Sequence, residues 1–524
     1  MTATAMSELV GRLAGIVGAS HVLTAPEERD ACSTDAFWVG ERPLCVVAPG
    51  SVDEVARVVR AAAAAGAPVV SRGGGMSYTA GYVPRSEQAV TLDLRRLDRI
   101  LEVDEADLTV TVEAGCTWKS LDDALRARGL RTPYFGPLSG LRATVGGTLS
   151  NDSMFLGSGL HGFASDNVLS LRVALADGRL LTTGSRANRG GRPFHRQFGP
   201  DLTGLFLADA GALGVKVEAS LRLVRRPQHV DFASFAFDDF ETLFAAQAEI
   251  ARAGVAAECF AFDPFLNRNM AEPTSLGQAV DAVRDVVRSG KTVAAGMRDA
   301  ARLAWAGRGF LSGVAWSLHV VVEGEAAPVA SSRLASVRSI ALSGGREIDP
   351  SLPRLIRAQP FHPVGEFLLG KRGERWVPIH ACLPLSQVVR AWRETEAYFA
   401  RRREVLDRFS IQTSYLTAVA RAAVVLEPAF YYPDAPLPFH LRELPPGERS
   451  TRGAQPAVPG ATEAVQGLLH DLAALYRDLG AVHQQVGKFY PWAEALDPTT
   501  LAVLRDLKQR LDPRGVLNPG ALGL

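Results

Sequence analysis

The stretch "SRGGGMSYTAGY" (residues 71–82) constrains this chain more than any other, because three consecutive glycines follow the apolar run "APVV" directly. Each glycine costs roughly 0.5–1 kcal/mol relative to alanine inside regular structure. A run of them belongs in a tight turn or where the backbone must come very close to something. The residues before it fix the local topology. "LCVVAPGSVDEVARVVRAAAAAGAPVV" reads as a βαβ unit. Leu44–Val47 is a short strand, Ser51 caps a helix, and Glu54 completes a capping box. The alanine-rich run ends at Gly66, and Pro68–Ser71 is the second strand.

Beyond the glycines the pattern stays legible. Residues 89–94 read as a strand, and 100–115 alternate around an acidic turn as a hairpin. Residues 117–129 read as a helix closed by Gly129. Residues 169–184 form a second hairpin turned at Asp177-Gly178. Residues 202–224 give a short helix, a glycine turn and a strand. From about 226 the character changes. Amphipathic helices at 239–253, 325–343, 386–404 and 461–479 alternate with strands at 259–263, 317–324, 375–384 and 422–432. This is an α+β pattern of its own. A chain of 524 residues is long enough for two or three domains.

Several function classes are excluded early. The formal net charge of +1 gives no reason to expect nucleic acid or an anionic membrane as a general partner. The five cysteines, Cys32, Cys45, Cys116, Cys259 and Cys382, are scattered and lack CxxC spacing. They predict reduced thiols rather than a disulfide framework, and no metal site. No stretch reaches the ~18 apolar residues of a membrane span, and the N-terminus lacks signal-peptide character. A soluble, cytoplasmic protein is expected. "GSGLHG" (157–162) matches the dinucleotide fingerprint literally, but polar residues precede it and a hairpin strand follows. "SGKT" (289–292) lacks the first glycine of a phosphate-binding loop. Both are set aside.

Three more small-residue loops lie in the first 225 residues: "GPLSGLRATVGGTLSND", "GLHGFASDN" and "ADAGALGV". Four such loops bordering strands point to a long, flat ligand approached by main chain on several sides. Successive N–H groups there form anion nests suited to a diphosphate.

The order "PGSVDEVARVVRAAAAAGAPVVSRGGGMSY", "ATVGG", "GFASDNVLSLRVALADGR", "GPDLTGLFLADAGALGV" and "LDPRGVLNPG" resembles the vanillyl-alcohol oxidase/p-cresol methylhydroxylase flavoprotein family along residues 40–225 and 483–520. The resemblance implies an α+β fold. A two-subdomain FAD-binding domain (1–225) would be followed by an α+β cap with an antiparallel sheet (226–475) and a C-terminal segment returning to the first domain (476–524). It implies FAD held by Arg72, Gly73, Gly74, Gly75, Met76 and Ser77, facing Pro137, Thr144, Val145, Gly146, Gly147, Ser150 and Asn151. His161, Gly162, Val215 and Asn518 would border it. Arg72 either neutralises phosphate or braces the loop. Met76 stands where some relatives carry a histidine bonded to the flavin, and "GLRATVGG" lacks the cysteine that others use. Dissociable FAD is expected.

The family's chemistry is hydride abstraction from a carbon bearing a hydroxyl, an amine or an activated benzylic position. "HQQVGKFYP" (483–491) resembles its C-terminal active-site segment. His483 is expected to be the base, because its unperturbed pKa lies near neutrality. Lys488 or Tyr490 would stabilise negative charge, and His380 is a further candidate. By strand alternation Trp376, Pro378 and His380 share one face. Tyr415, Arg421, Tyr431 and Tyr432 are expected in the substrate pocket. The expected activity is an FAD-linked oxidase or dehydrogenase for a small phenolic, aromatic or 2-hydroxy-acid alcohol. The electron acceptor stays open between oxygen, a cytochrome and a quinone, and relatives suggest a homodimer. Two alternatives stand beside it: an FAD-dependent lyase or transferase without net redox, and a flavin-binding protein that has lost catalysis.

Overall fold

The computed structural model describes residues 2–271, 311, 313–361 and 363–524, so "SGKT" lies outside the described residues. The βαβ unit forms as its sequence dictates. Cys45–Val47 and Val69–Arg72 both run parallel to the intervening strand Val90–Asp93, and Val22–Leu23 closes a four-stranded sheet. The crossover helix Val52–Ala65 starts at Ser51, whose side chain accepts the Glu54 N–H, and stops at Gly66 in the left-handed region. Glu54 departs from the expected box. Its carboxylate takes the N–H of Gly50, one residue before the cap. The C-terminal tail returns to this sheet: Val69 donates to Val516, and Asn518 donates back to Val69.

A second sheet has five antiparallel strands in the order Ile100–Asp104, Thr109–Glu113, Val215–Arg222, Val168–Ala174 and Leu180–Thr182. Both expected hairpins belong to it. The segment after Thr144, read from sequence as a loop, is a two-turn helix, Val145–Asn151. Two glycines and a serine give it poor helix propensity. Its formation reflects burial of Val145 and Leu149 against the sheet.

The third sheet is antiparallel and has eight strands. Its order is Arg346–Ile348, His229–Phe237, Trp316–Gly324, Glu258–Phe262, Gln412–Ala420, Ala423–Tyr432 and Arg375–Pro378, with Ala381–Pro384 also paired to Ala423–Tyr432. Helices Phe240–Ala253, Ala327–Ala341, Val388–Arg401 and Ala461–Asp478 supply side chains to the core built on it. The expected strand 375–384 is therefore two strands broken at Ile379 and His380. Ile379 donates to Pro428, and Cys382 exchanges backbone hydrogen bonds with Val482, which seats the C-terminal segment beside the break. The five cysteines are free thiols, and all but Cys32 are buried.

A buried ionic network joins the large sheet to the first half of the chain. Arg131 donates to Glu323 at 2.5 Å, and Arg357 bridges Glu323 and Glu258. Glu258 also accepts the Gly157 N–H, and Arg131 and Arg357 both lie over the Phe135 ring. The literal fingerprint "GSGLHG" finds its role here, because a Cβ on Gly157 or Gly159 would overlap the carbonyls of Pro133 or Ala256. Removing one partner of a buried pair strands the other charge and costs about 3–5 kcal/mol. Glu323→Gln is expected to destabilise the protein by that order in a thermal or guanidinium melt. A change below about 0.5 kcal/mol, the usual size of a surface substitution, would show that the network carries no such role.

Candidate active site

The glycine loop forms one wall of a cleft of about 880 Å³, counting its open mouth. Gly73–Ser77 leave the end of strand Val69–Arg72 and face the segment Ala143–Ser150. The N–H groups of residues 73–77 donate to no protein acceptor among the described residues. The missing Cβ atoms serve another purpose than expected. A Cβ on Gly73 would overlap the Thr144 hydroxyl, one on Gly74 the Arg142 carbonyl, and one on Gly75 the Arg72 guanidinium. The glycines let two loops of the protein touch, in a segment that lines the cleft and whose N–H groups keep no protein acceptor among the described residues. Arg72 braces the loop. It lies over the Tyr82 ring at 4.5 Å and donates to the Thr34 carbonyl, while its buried Nη2 has no partner. Strain gathers at the rim: Ala80, Ala210, Gln485 and Asn518 all have positive φ. Such strain persists only where surrounding structure enforces it.

The far end of the cleft meets the strand break. Gln485 lines the cleft, and its Nε2 donates to the Tyr78 hydroxyl at 3.0 Å. That hydroxyl lies 2.6 Å from His380 Nε2, which is in turn 2.9 Å from Glu427 Oε2. Tyr490 accepts the His380 backbone N–H at 2.7 Å. His483 Nδ1 donates to the His380 carbonyl at 2.7 Å and stacks on the Tyr490 ring at 3.9 Å. Trp376 packs edge-on against Tyr78. The row of N–H groups without a protein acceptor and the unpartnered Nη2 of Arg72 fit a diphosphate-bearing ligand. The hydroxyl–imidazole–carboxylate array, with its imidazole fully buried, fits proton transfer at the same ligand's end.

Comparison with known proteins agrees. Residues 43–184 match the FAD binding domain family, and 490–522 match the C-terminal domain of FAD linked oxidases. The fold is shared with p-cresol methylhydroxylase, with a TM-score of 0.75 at 15% identity over 100% of this chain and 98% of that one. It is shared as well with 4-ethylphenol oxidase from Gulosibacter chungangensis, at 0.72 and 17% over 100% and 98%. The chain carries an FAD binding domain and the C-terminal domain of FAD linked oxidases. Its cofactor is FAD.

Relatives in sequence include an "Uncharacterized FAD-linked oxidoreductase" of Mycobacterium tuberculosis, 31% identical over 48% of this chain and 54% of its own. D-lactate dehydrogenase [cytochrome] 1 of Saccharomyces cerevisiae is 26% identical over 46% and 39%. Glycolate oxidase subunit GlcD of Bacillus subtilis is 33% identical over 36% and 38%. The chain thus spans about half or less of the length of these relatives.

Most residues expected at the cofactor line this flavoprotein's cleft: Arg72 through Ser77, Pro137, Thr144, Gly146, Gly147, Ser150 and Asn151. The side chains of Val145 and Val215 pack in the core, and Val215 was expected to meet the cofactor through its backbone. His161 and Gly162 lie at the seam, where a Cβ on Gly162 would overlap Asp166 and press on Arg421. Asn518 stands behind the lining, donating to the carbonyls of Gly81 and Ala210. Sequence reasoning missed Gln485, Tyr78 and Glu427. The one local signal for Glu427 was a carboxylate inside the apolar run "AAVVLEPAFYY".

Tyr415, Arg421, Tyr431 and Tyr432 do not line the cleft. Tyr415 donates to Glu396 within the core of the large sheet, and Tyr432 is fully buried beneath Arg375. Tyr431 packs on Phe265, and Arg421 turns the hairpin between the two long strands. Alternation along the strands sends Tyr415 and Tyr432 into core packing, whereas Tyr431 shares the Glu427 face of its strand.

His483 also differs from expectation. Burial pushes its pKa down to about 4, and Nδ1 is committed to the His380 carbonyl. It is a neutral prop for His380 at pH 7. Lys488 donates to the Val83 carbonyl. Burial, with Arg85 adding like charge, lowers its ammonium to about 7 against the pull of Asp35.

Two expectations follow from this geometry. Gly74→Ala forces the two loops apart, an overpacking cost of about 1–3 kcal/mol, and weakens FAD retention on gel filtration. Retention equal to wild type would show that the loop contact is dispensable. Lys488 sets a pH dependence. From about 7 up to its ordinary 10.5 the unfolded chain holds a proton that the folded chain lacks, so stability rises with pH across that window. Urea unfolding at both ends of the window should show a smaller rise for Lys488→Met. An equal rise would exclude a lowered lysine.

Proposed function

We propose that this chain is an FAD-dependent oxidoreductase that oxidises a small alcohol, phenolic, aromatic or 2-hydroxy acid, at the carbon bearing the hydroxyl. The reading assigns residues 1–225 and 476–524 to the FAD-binding domain and 226–475 to a cap that supplies the substrate side. It rests above all on one observation. Gln485 belongs to the cleft lining and to the hydrogen-bonded array around His380, so the cleft borders the group proposed as proton acceptor. FAD, when bound, supplies the hydride acceptor and electron sink. The chain must do the rest: hold the ligand against the N–H row, exclude water, and take the hydroxyl proton. His380, fully buried and fixed at its own N–H and carbonyl by Tyr490 and His483, is the proposed proton acceptor.

The names of relatives support an alcohol or a phenolic carbon: D-lactate and glycolate on one side, p-cresol and 4-ethylphenol on the other. Flavin chemistry without net redox is the second reading. The fold is also that of alkyldihydroxyacetonephosphate synthase, with a TM-score of 0.67 at 18% identity over 98% of this chain and 84% of that one. FAD attachment is proposed to be non-covalent, since methionine at position 76 cannot bond the flavin as a histidine would.

The test is anaerobic mixing of the FAD-loaded protein with 4-hydroxybenzyl alcohol, benzyl alcohol, D-lactate and glycolate. At least one should bleach the flavin absorbance, and His380→Asn should slow that bleaching by ~10²–10⁴-fold. Acid precipitation should leave the FAD in the supernatant. A panel that never bleaches the flavin overturns the oxidoreductase reading. An adduct without consumption of any electron acceptor favours the second.

A further inference from the structure

We infer that Tyr78, His380 and Glu427 form a proton relay, in which Tyr78 meets the substrate hydroxyl and Glu427 acts as a positioning residue through His380. The inference rests on the reading above and names the groups that serve its proton.

The three side chains come from three places. Tyr78 lies in the loop after the glycines, His380 at the break between strands, and Glu427 in the middle of Ala423–Tyr432. A single ring nitrogen, His380 Nε2, faces both neighbours, with Tyr78 Oη at 2.6 Å and Glu427 Oε2 at 2.9 Å. It cannot accept from the hydroxyl and donate to the carboxylate at the same moment. A ring protonated on Nδ1 accepts the Tyr78 proton. A ring carrying a proton on Nε2 donates instead and leaves the Tyr78 hydroxyl free for another acceptor. The two arrangements differ only in where one proton sits, which is the property a relay needs.

The surroundings hold the ring for that exchange. Nδ1 looks toward Tyr490 Oη at 3.5 Å, and Gln485 donates to Tyr78 from the cleft side. The groups facing Tyr78 and His380 are Glu427 and Cys382 from the sheet, Tyr490, His483 and Gln485 from the C-terminal segment, and Trp376 edge-on. Burial first, and then the Glu427 charge, hold the Tyr78 hydroxyl well above its ordinary range. Tyr78 therefore serves as a carrier that keeps its proton until another arrives. A carboxylate set against a fully buried histidine is a poor way to gain stability, because an apolar pair of the same volume is often neutral or better. Its placement beside a ligand cleft points to chemistry.

The step balances. The alcohol O–H bond breaks and its proton goes to Tyr78 Oη. The proton that Tyr78 carried passes to His380 Nε2. The Glu427 carboxylate then neutralises the imidazolium. Tyr78 ends as it began, one proton has moved from alcohol to ring, and no electron is exchanged in the transfer itself.

Two measurements on the full-length protein test this. In the first, bleaching by whichever of 4-hydroxybenzyl alcohol or D-lactate reduces the flavin is followed against pH. Tyr78→Phe and Glu427→Gln should each slow it by about 10²-fold, and Glu427→Gln should also move the acid limb of the profile to lower pH. Glu427→Asp, which keeps the carboxylate, should leave the limb in place. In the second, the protein is labelled at histidine Cε1, and the His380 resonance is identified by its loss in His380→Asn. Its response to pH should change in Tyr78→Phe and in Glu427→Gln, with or without FAD. Slower bleaching with an unmoved profile and an unmoved resonance means a structural role only and overturns the relay. So do variants that match wild type, and in that case the oxidoreductase reading stands. If no alcohol bleaches wild type, that reading falls and the resonance alone decides the relay.

Discussion

The site depends on a contact between two loops that any side chain would prevent. Gly73 and Gly74 lie against Arg142 and Thr144 so closely that a methyl group on either would overlap them. The contact does two jobs. It closes the floor of the cleft by joining the end of the parallel sheet to the helix Val145–Asn151. It also holds residues 73–77 along the cleft with N–H groups that have no acceptor among the described residues, an arrangement no regular strand or helix would leave. The entropy given up by the glycines is offset by packing, and these donors are the functional by-product. Gly75 extends the same logic: its left-handed conformation and bare Cα admit the Arg72 guanidinium, which is then pinned by Tyr82.

A second constraint operates at the other end of the cleft. An eight-stranded antiparallel sheet satisfies its backbone internally, so a break in one strand needs outside partners. The break at Ile379 and His380 finds them in Pro428 and in the C-terminal segment. Val482 pairs with Cys382, His483 takes the His380 carbonyl, and the Tyr490 hydroxyl takes its N–H. Once the main chain of His380 is satisfied by groups more than a hundred residues away, its ring has little freedom. Buried polar clusters of this kind are costly when half satisfied, so the orientation of the ring toward Tyr78 and Glu427 is set by the same bonds that hold the fold.

Much of the first half was legible because its signals are local. Ser51, Gly66, Asp177-Gly178 and the alternation of 100–115 each act within a few residues, and the elements follow. The helix Val145–Asn151 was not legible, since "VGGTLSN" has poor propensity and its cause is burial against another sheet. The expected pairing of Trp376 with His380 on one side did emerge, both rings touching Tyr78, although the strand itself breaks between them. Tyr78 and Glu427 lay beyond reach for a plain reason. Tyr78 is 302 residues from His380, and nothing in the sequence of either segment encodes that distance. The tyrosines at 415 and 432 looked like lining because aromatic residues on a cap strand could face either way. The helices over the sheet decide it.

The seam ties these ends together. Tyr78 belongs to the first half of the chain, while His380 and Glu427 belong to the large sheet, so the 2.6 Å contact of Tyr78 with His380 holds only if the two bodies sit in one register. That register is set elsewhere, by Arg131 and Arg357 between Glu323 and Glu258 and by the Gly157–Gly159 turn against Ala256 and Ala257. The Glu258–Gly157 hydrogen bond runs from the strand Glu258–Phe262, which pairs with Gln412–Ala420 and through it with the strand carrying Glu427. A shift of 1 Å at the seam would carry along this ladder and part the hydroxyl from the imidazole, since a hydrogen bond weakens steeply beyond about 3.2 Å. The glycines that imitate a nucleotide fingerprint therefore bear on the chemistry after all, through position rather than contact. They let the two halves approach closely enough for one side's hydroxyl to meet the other's ring.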